Sequence, residues 1–77
     1  MKPKDRKFLK MLGSRVKAIR EEQGISQDQL GYECEMSRVN ISRIENGQIG
    51  TAVHKLLHIA EALDIDVRDL LPPRKQE

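Results

Sequence analysis

The 77 residues carry a formal net charge of +2 at pH 7 and include a single cysteine, so the chain can form one small domain with a modest core and no intramolecular disulfide framework. No Cys-x-x-Cys pair predicts a zinc site, no apolar run approaches the roughly 20 residues that span a bilayer, and the N-terminus lacks the apolar centre of a signal peptide. We therefore expect an unprocessed, soluble protein of the cytoplasm that has a binding surface rather than a deep catalytic pocket and that uses no cofactor, metal or membrane.

The charges are distributed unevenly along the chain. Residues 1–20 contain eight basic side chains and one acidic one, a net charge of +7, whereas the other 57 residues contain six basic and eleven acidic ones, a net charge of −5. A basic end on a slightly acidic body would attract phosphate groups, and it would equally serve as a solvated tail that keeps the protein in solution. The composition leaves both interpretations of the basic N-terminal segment 1–10 open.

All the predicted elements are helices. Apolar residues recur at intervals of three and four over residues 5–23, which predicts a first helix that ends at Gly24. Ser26 and Gln29 then form the Ser-x-x-Gln pattern of a capping box, in which the hydroxyl accepts from the Gln29 amide and the Gln29 side chain reaches back. A second helix is therefore predicted to start there and to run to about Glu33.

A short turn, residues 34–36, separates this helix from a third. Ser37 is a good N-cap for the third helix, which we expect over residues 38–45, and Gly47 can take the left-handed conformation that closes it. Two short helices joined by a turn of three or four residues are the layout of a helix-turn-helix. The sequence therefore predicts such a unit over residues 26–45.

The apolar residues of this unit fall where two crossed helices need them. The positions that face inward if the third helix packs across the second are Leu30, Cys34, Met36, Ile41 and Ile44. Gly31 follows the first of these, where only a small side chain lets the two backbones approach. The side chains left outward on the third helix are Arg38, Val39, Ser42 and Arg43, with Asn40 in its N-terminal half.

Two more helices are predicted beyond the unit. A fourth starts at Ala52, and its apolar stripe is Val53, Leu56, Leu57, Ala60 and Leu63. Asp66 caps a fifth, which the prolines after Leu71 end. The tail 72–77 is expected to be disordered. The predicted fold class is all-α: a compact five-helix domain over residues 1–71 that contains a helix-turn-helix.

The run SRVKAIREEQGISQDQL, residues 14–30, and the run ISRIENG, residues 41–47, resemble the phage repressor and Cro family of helix-turn-helix proteins, also described as xenobiotic-response-element-like regulators. The resemblance covers residues 12–71 and includes Gln27, Leu30 and the small residue at 31 at the family's spacing. It implies a lambda repressor-like five-helix domain that binds double-stranded DNA in the major groove, usually as a symmetric homodimer on a palindromic site.

The resemblance also implies a set of DNA-binding residues. In the family, the glutamine at Gln27 contacts a phosphate and braces the recognition helix, and a helix N-terminus offers unpaired donors to such an anion. Arg38, Val39 and Asn40 take base-reading positions, where they could contact guanine, the thymine methyl group and adenine respectively. Arg43 could reach either a base or a phosphate. We expect Ser37, Asn46 and Gln48 to complete the DNA-binding set, the last two because the loop after the third helix has no basic side chain.

A structural ion pair is implied as well. In the family, an arginine late in the first helix and the glutamate before Asn-Gly form a partly buried pair, and these positions are Arg20 and Glu45 here. Its burial would keep the carboxylate away from DNA phosphates.

The chain departs from the family pattern at several places, including Ala52 and Asp64, and two of the departures concern the DNA-binding unit. Glu35 stands in the turn where the family often has glycine, so a non-glycine residue must adopt positive φ at a cost of about 1 kcal/mol. The loop 46–51 contains no lysine or arginine, although family members often clamp a phosphate from this loop with a basic side chain. The segment 1–10 could supply the missing affinity, or it could extend the first helix and never meet DNA.

Dimerisation would bring two recognition helices to half-sites one helical turn apart. Ile49 is the first candidate for a contact between copies if its loop exposes it, and Val67, Leu70 and Leu71 are the others. The alternative is that Ile49 folds back onto its own core.

Other features favour structural roles. His54 and His58 have no evident third metal ligand and are expected in solvent, and Cys34 is expected to be a packed thiol. Tyr32 is expected at the surface, where it could donate to a phosphate or cover a neighbouring side chain. No nucleophile-base pair or phosphate loop predicts an enzyme.

The leading functional prediction is a sequence-specific transcriptional regulator: a phage-type repressor, an antitoxin that represses its operon, or a restriction-modification controller. The alternative is an antitoxin or helical interaction module whose main partner is another protein.

Overall fold

The computed structural model describes residues 2–71, which fold into four α-helices and one 3₁₀ turn. The elements are α1 (Pro3–Glu22), α2 (Gln27–Cys34), α3 (Arg38–Glu45), α4 (Val53–Ala62) and the 3₁₀ turn Val67–Asp69. The described residues contain no strand, so the predicted all-α fold class is confirmed. The tail predicted to be disordered, 72–77, lies outside the described residues. None of the four helices has the length and apolarity to cross a membrane.

One core holds the four helices together. α3 packs against both α1 and α2, while α4 packs against α2 and the 3₁₀ turn. The buried apolar side chains come from all four helices and the segment after α4: Val16, Leu30, Cys34, Ile41, Ile44, Ile59, Ala60, Leu63 and Leu70. Four of the five inward positions predicted for the helix-turn-helix are in this set, and Met36 packs against it.

Helix α1 begins two residues before the predicted start. Lys2 has extended backbone angles, φ −72° and ψ 148°, and Pro3 opens the first turn. Proline suits this position because the first backbone N–H of a helix has no intrahelical partner to lose. Residues 3–10 of the basic N-terminal segment are therefore the first two turns of a continuous 20-residue helix.

The caps of α2 and α3 form largely as predicted. Ser26 Oγ accepts from the Gln29 backbone N–H at 3.0 Å, and Ser37 Oγ accepts from the Asn40 N–H at 3.1 Å. The reciprocal half of the capping box is absent at Ser26, because the Gln29 side-chain amide donates to Glu33 at 3.5 Å instead. Each hydroxyl satisfies one of the free amides at the start of its helix.

The turn between α2 and α3 places a glutamate in the left-handed region. Glu35 has φ 57°, and the Met36 N–H closes the helix end on the Gly31 carbonyl at 2.8 Å. Lys55 Nζ donates to the Cys34 carbonyl at 3.3 Å, which satisfies an acceptor that the end of α2 leaves free. A Cβ at Gly31 would lie 2.5 Å from the Met36 carbonyl oxygen, so the small residue is required by the turn itself.

The prediction of a fifth α-helix was wrong. Asp66 does act as a cap, accepting from the Arg68 N–H at 2.8 Å, but the segment makes only the 3₁₀ turn Val67–Asp69. Few residues separate the cap from the prolines that follow Leu71. A first α-helical turn fixes several residues for one hydrogen bond, and no room remains for the later turns that would offset this cost.

The predicted stripe of α4 also needs correction. Ala60 and Leu63 are buried and Leu56 is partly buried, as predicted, but Val53 is 73% exposed and Leu57 48% exposed. Ile59 is fully buried in their place. α4 therefore presents a pair of apolar side chains, one turn apart, to solvent.

Candidate nucleic-acid interface

The outer face of α3 carries the side chains predicted to read bases. Arg38, Val39, Asn40 and Arg43 are all exposed, and Val39 is half exposed despite being apolar. The opposite face, Ile41 and Ile44, lies in the core. Because one face of α3 is buried and the other is exposed, α3 can enter the major groove of DNA while its buried face stays packed in the core.

Arg38 is held by a neighbour that the sequence did not single out. Its Nε lies 3.4 Å from Asp28 Oδ1 in the first turn of α2, and both side chains are largely exposed. The ion pair engages only the Nε edge of the guanidinium. The two terminal nitrogens, which can donate together to guanine O6 and N7, have no ion-pair partner within the described residues.

Ser37 and Gln27 sit at the starts of the two helices. Ser37 uses its oxygen as the cap of α3, which leaves its hydroxyl proton available to a phosphate. Gln27 is partly buried, and its Nε2 donates to Glu45 Oε1 at 3.0 Å. The structure therefore ties Gln27 to the end of α3, which is the bracing role that the resemblance implies.

Glu45 is the centre of a buried polar cluster. Arg20 Nε donates to Glu45 Oε2 at 2.6 Å, and Arg20 Nη2 donates to Oε1 at 3.1 Å, so the pair is bidentate. Arg20 Nη1 donates to the Ile25 carbonyl at 2.7 Å. Arg20 is only 8% exposed and Glu45 only 5%, and the hydrogen bond that Arg20 donates to Glu45 raises the pKa of Arg20 above its ordinary value.

This cluster, Arg20, Gln27 and Glu45, links α1, α2 and the C-terminal end of α3. No buried side-chain nitrogen or oxygen within residues 2–71 lacks a hydrogen-bond partner, so the charges are compensated rather than stranded. The cluster therefore holds the C-terminal end of α3 against α1 and α2. It also places the one acidic side chain of α3 where it faces the protein.

Gly13 contributes to the same arrangement and was missed by the sequence reasoning. A Cβ built on it would lie 2.2 Å from the Ile44 carbonyl oxygen and 2.6 Å from that of Glu45. Only glycine lets α1 approach the end of α3 this closely. A glycine inside a helical apolar pattern was the available signal, because such a residue costs helix stability and so has a packing reason.

Asn46 and Gln48 are exposed in the turn that follows α3. Gly47 between them has φ 71°, and a Cβ on it would lie 2.8 Å from Cα of Lys10. Helix α1 therefore packs directly against this turn at Gly47.

The residues predicted for a dimer contact are only partly available. Leu70 is fully buried in the domain's own core, so its place in the predicted interface was wrong. Ile49 and Val67 are partly buried and pack against that core, which leaves Leu71 as the exposed member. Ile49 folds back because its loop connects two helices that share the core.

The remaining polar candidates keep their structural interpretations. His54 and His58 are exposed, with ring centroids 6.0 Å apart, and no group of three metal-binding side chains occurs within residues 2–71. Cys34 is buried, and its burial raises the pKa of its thiol. Tyr32 is largely exposed, as predicted.

Comparison with known proteins identifies relatives of this chain. The sequence model of the HTH_3 helix-turn-helix family matches residues 16–70. Control protein C.BamHI of Bacillus amyloliquefaciens is 34% identical over 62 residues, which are 79% of this chain and 76% of that protein.

Solved structures of similar proteins agree with this. The restriction-modification controller protein C.AhdI from Aeromonas hydrophila superimposes with a TM-score of 0.80 at 32% identity, over 82% of this chain and 96% of that one. The P22 c2 repressor, solved with a synthetic operator, gives a TM-score of 0.75 at 31% identity, over 79% of this chain and 92% of that one. The chain therefore belongs to the HTH_3 family of helix-turn-helix proteins, the phage repressor-like DNA-binding transcriptional regulators that its sequence resembles.

Proposed function

We propose that the protein binds a palindromic operator as a homodimer, with α3 of each copy in the major groove, and so regulates transcription. The observation that carries this is the division of α3 into a buried apolar face and an exposed face bearing Arg38, Val39, Asn40 and Arg43. Arginine, asparagine and an apolar side chain together offer partners for guanine, adenine and the thymine methyl group.

The surroundings of α3 favour the same proposal. The free N–H groups at the start of α2, beside Gln27, give one phosphate site, and Asn46 with Gln48 after α3 gives a second. Two anchors on either side of a helix fix its register on the duplex, which is what phosphate contacts do, while base contacts supply the specificity.

A second copy is needed for selectivity. Three or four base contacts from one helix, at about 1–3 kcal/mol for each mismatched base pair, cannot separate one operator from the competing sites of a genome. Two copies on half-sites a helical turn apart roughly double that discrimination.

The more specific role that we propose is control of a restriction-modification system. Its support is the similarity to C.AhdI, a restriction-modification controller protein, over 82% of this chain, beside the similarity to the control protein C.BamHI over 79% of it. The polar residues of the α3 face would then define which operator is chosen.

Selection of bound sites from a random DNA pool tests the proposal. We expect an enriched inverted repeat whose half-sites are about 10 base pairs apart, centre to centre. An Arg38→Ala/Asn40→Ala variant keeps the buried face of α3 and should return no enriched motif. Enrichment of no motif by the wild type would overturn DNA reading and favour a protein-interaction module, and an enriched single half-site would overturn the dimer.

The restriction-modification role is tested by where the selected site occurs. We expect it upstream of restriction or modification genes in the genome that encodes the protein. Sites found only upstream of unrelated genes would overturn this role and leave DNA-binding regulation standing.

A further inference from the structure

Three basic side chains form a ridge along α1. Arg6, Lys10 and Lys17 are spaced by four and seven residues, with Gly13 between them, so they share one face of the helix. We call these three side chains the basic ridge. All three are exposed, and none of them forms an ion pair within 4 Å among residues 2–71.

The ridge runs beside the C-terminal end of α3. Gly13 brings the helices together at the Ile44 and Glu45 carbonyls, and the Lys10 backbone touches Gly47. A groove of about 360 Å³ is lined by Arg6, Lys10 and residues 46–48. A second groove, of about 370 Å³, continues past Asn46 to Lys17. The ridge and the turn after α3 are thus two walls of one surface.

The positive charge of this surface comes from the basic ridge. The C-terminal end of α3 carries the partial negative charge of the helix dipole, which repels phosphate. The turn 46–51 holds no basic side chain, and the nearby carboxylates are Glu45, which is paired with Arg20, and the exposed Glu21, 3.8 Å from Arg20. The ridge is therefore the cationic wall on this side of α3.

We infer that the basic ridge of α1 binds the DNA backbone beside Asn46 and Gln48, in place of a basic side chain in the turn itself. The inference rests on the proposed function. Rigid helical presentation distinguishes this site from a flexible basic arm: the amides of Asn46 and Gln48 orient a phosphate, and Arg6 and Lys10, held at fixed spacing, neutralise it and its neighbour.

The test compares two double variants with equal charge change. Arg6→Gln/Lys10→Gln removes two members of the ridge, and Lys4→Gln/Lys7→Gln removes two charges from other faces of the same helix. All four side chains are exposed, so urea unfolding should give matching stabilities for both variants and wild type.

The readout is the dependence of affinity on salt, measured on a selected operator. Each lost phosphate contact should make the slope of log K against log salt less steep by about 0.9, so the ridge variant should lose up to about 1.8 and the control variant about none. Equal flattening in both variants would show that net charge alone acts and would overturn the contact. Unchanged slopes in both variants would overturn it as well.

Uncharged methylphosphonates, placed singly along the operator, locate the site. We expect one or two positions at which wild type and the control variant lose affinity and the ridge variant does not. Equal sensitivity of all three proteins at every position would overturn the inference. Failure of the wild type to bind any selected sequence would instead overturn the proposed function, which separates the two failures.

Discussion

Glu45 lies on the helix proposed to enter DNA, yet it acts as a structural residue. Both of its oxygens accept hydrogen bonds, from Arg20 at 2.6 and 3.1 Å and from Gln27 at 3.0 Å. Glu45→Ala would leave Arg20 as a buried charge without its partner. We expect a loss of about 3–5 kcal/mol in the free energy of unfolding, measured by urea titration.

Glu21→Ala is the matched control for this change. Glu21 also approaches Arg20, at 3.8 Å, but its side chain is 58% exposed. Exposed pairs contribute about 0.2–1 kcal/mol, so the control should be within 1 kcal/mol of wild type. Similar small losses in both variants would mean that the buried pair does not hold α3 in place.

Asp28 is expected to position Arg38 rather than to contact DNA. Its carboxylate approaches the guanidinium at the Nε edge, with Oδ1 3.4 Å from Nε. In the Asp28→Asn variant we expect the preference for guanine, at the base position read by Arg38, to fall by about fivefold or less. The effect is small because an exposed ion pair contributes about 1 kcal/mol of free energy at most. Total affinity should hold or rise, because a negative charge near phosphate is removed.

Glu33→Gln removes the same charge from an exposed position further along α2. Its base preference, measured by competition between operators that differ at that position, should match wild type. A fall in guanine preference in this control, or none in Asp28→Asn, would reject the positioning role.

At the level of single residues, the sequence predicted most of the positions but few of the partners. The resemblance placed Arg20 and Glu45 together because the family has an ion pair at these positions. It could not place Asp28 against Arg38, since the contact joins two helices and depends on their crossing angle. The bond from Gln27 to Glu45 depends on the same angle.

Among the helix contacts, the packing of α1 on α3 leaves the least room for a larger side chain. Alanine favours helix over glycine by about 1 kcal/mol in a helix interior, but a Cβ at Gly13 would lie 2.2 Å from the Ile44 carbonyl oxygen. We expect Gly13→Ala to lower the free energy of unfolding by about 1–3 kcal/mol, because the two helices must separate. Thermal and urea unfolding measure this loss.

The control is Ser14→Ala, at the next position of the same helix, where the side chain is exposed. It should change the free energy of unfolding by about 0.5 kcal/mol or less. A Gly13→Ala protein as stable as wild type would show that α1 can shift away from α3 without cost.

Among the elements, those with a strong cap and a strong apolar period were predictable. α3 has the bounds that Ser37 and the Asn46-Gly47 pair indicated. The segment after Asp66 has a capping residue but is too short for an α-helix, and it makes a single 3₁₀ turn. In α4, Val53 and Leu57 follow the helical period as well as Ile59 does, so the period alone could not show which of two apolar faces α2 covers.

At the scale of the whole molecule, the exposed apolar face of α4 is the surface best suited to contact a second copy in the proposed dimer. α4 packs inward against α2 and the 3₁₀ turn, and its outward Val53 and Leu57 are the most exposed large aliphatic side chains apart from Val39 in residues 2–71. Val39 lies on the α3 face proposed to read DNA, so a contact through α4 leaves the reading face of each copy free. A symmetric contact of this kind would repeat the same pair on both sides.

Sedimentation equilibrium of Leu57→Asp tests this contact. Burying a leucine contributes about 1.5–3 kcal/mol, and two copies of the residue meet at a symmetric interface. We therefore expect the dimer dissociation constant to rise at least about tenfold. Affinity for a palindromic operator should fall with it, while affinity for an isolated half-site should not change.

Val39→Asp is the reciprocal variant, because it also places a carboxylate at an exposed apolar position. It should leave the dimer dissociation constant unchanged and abolish operator binding, since an acid on the reading face meets phosphates and bases. Ile49→Asp should instead destabilise the monomer, because Ile49 packs against the core. If wild type sediments as a dimer and Leu57→Asp does so equally, the second copy contacts a surface other than α4; a monomeric wild type would overturn the proposed dimer itself.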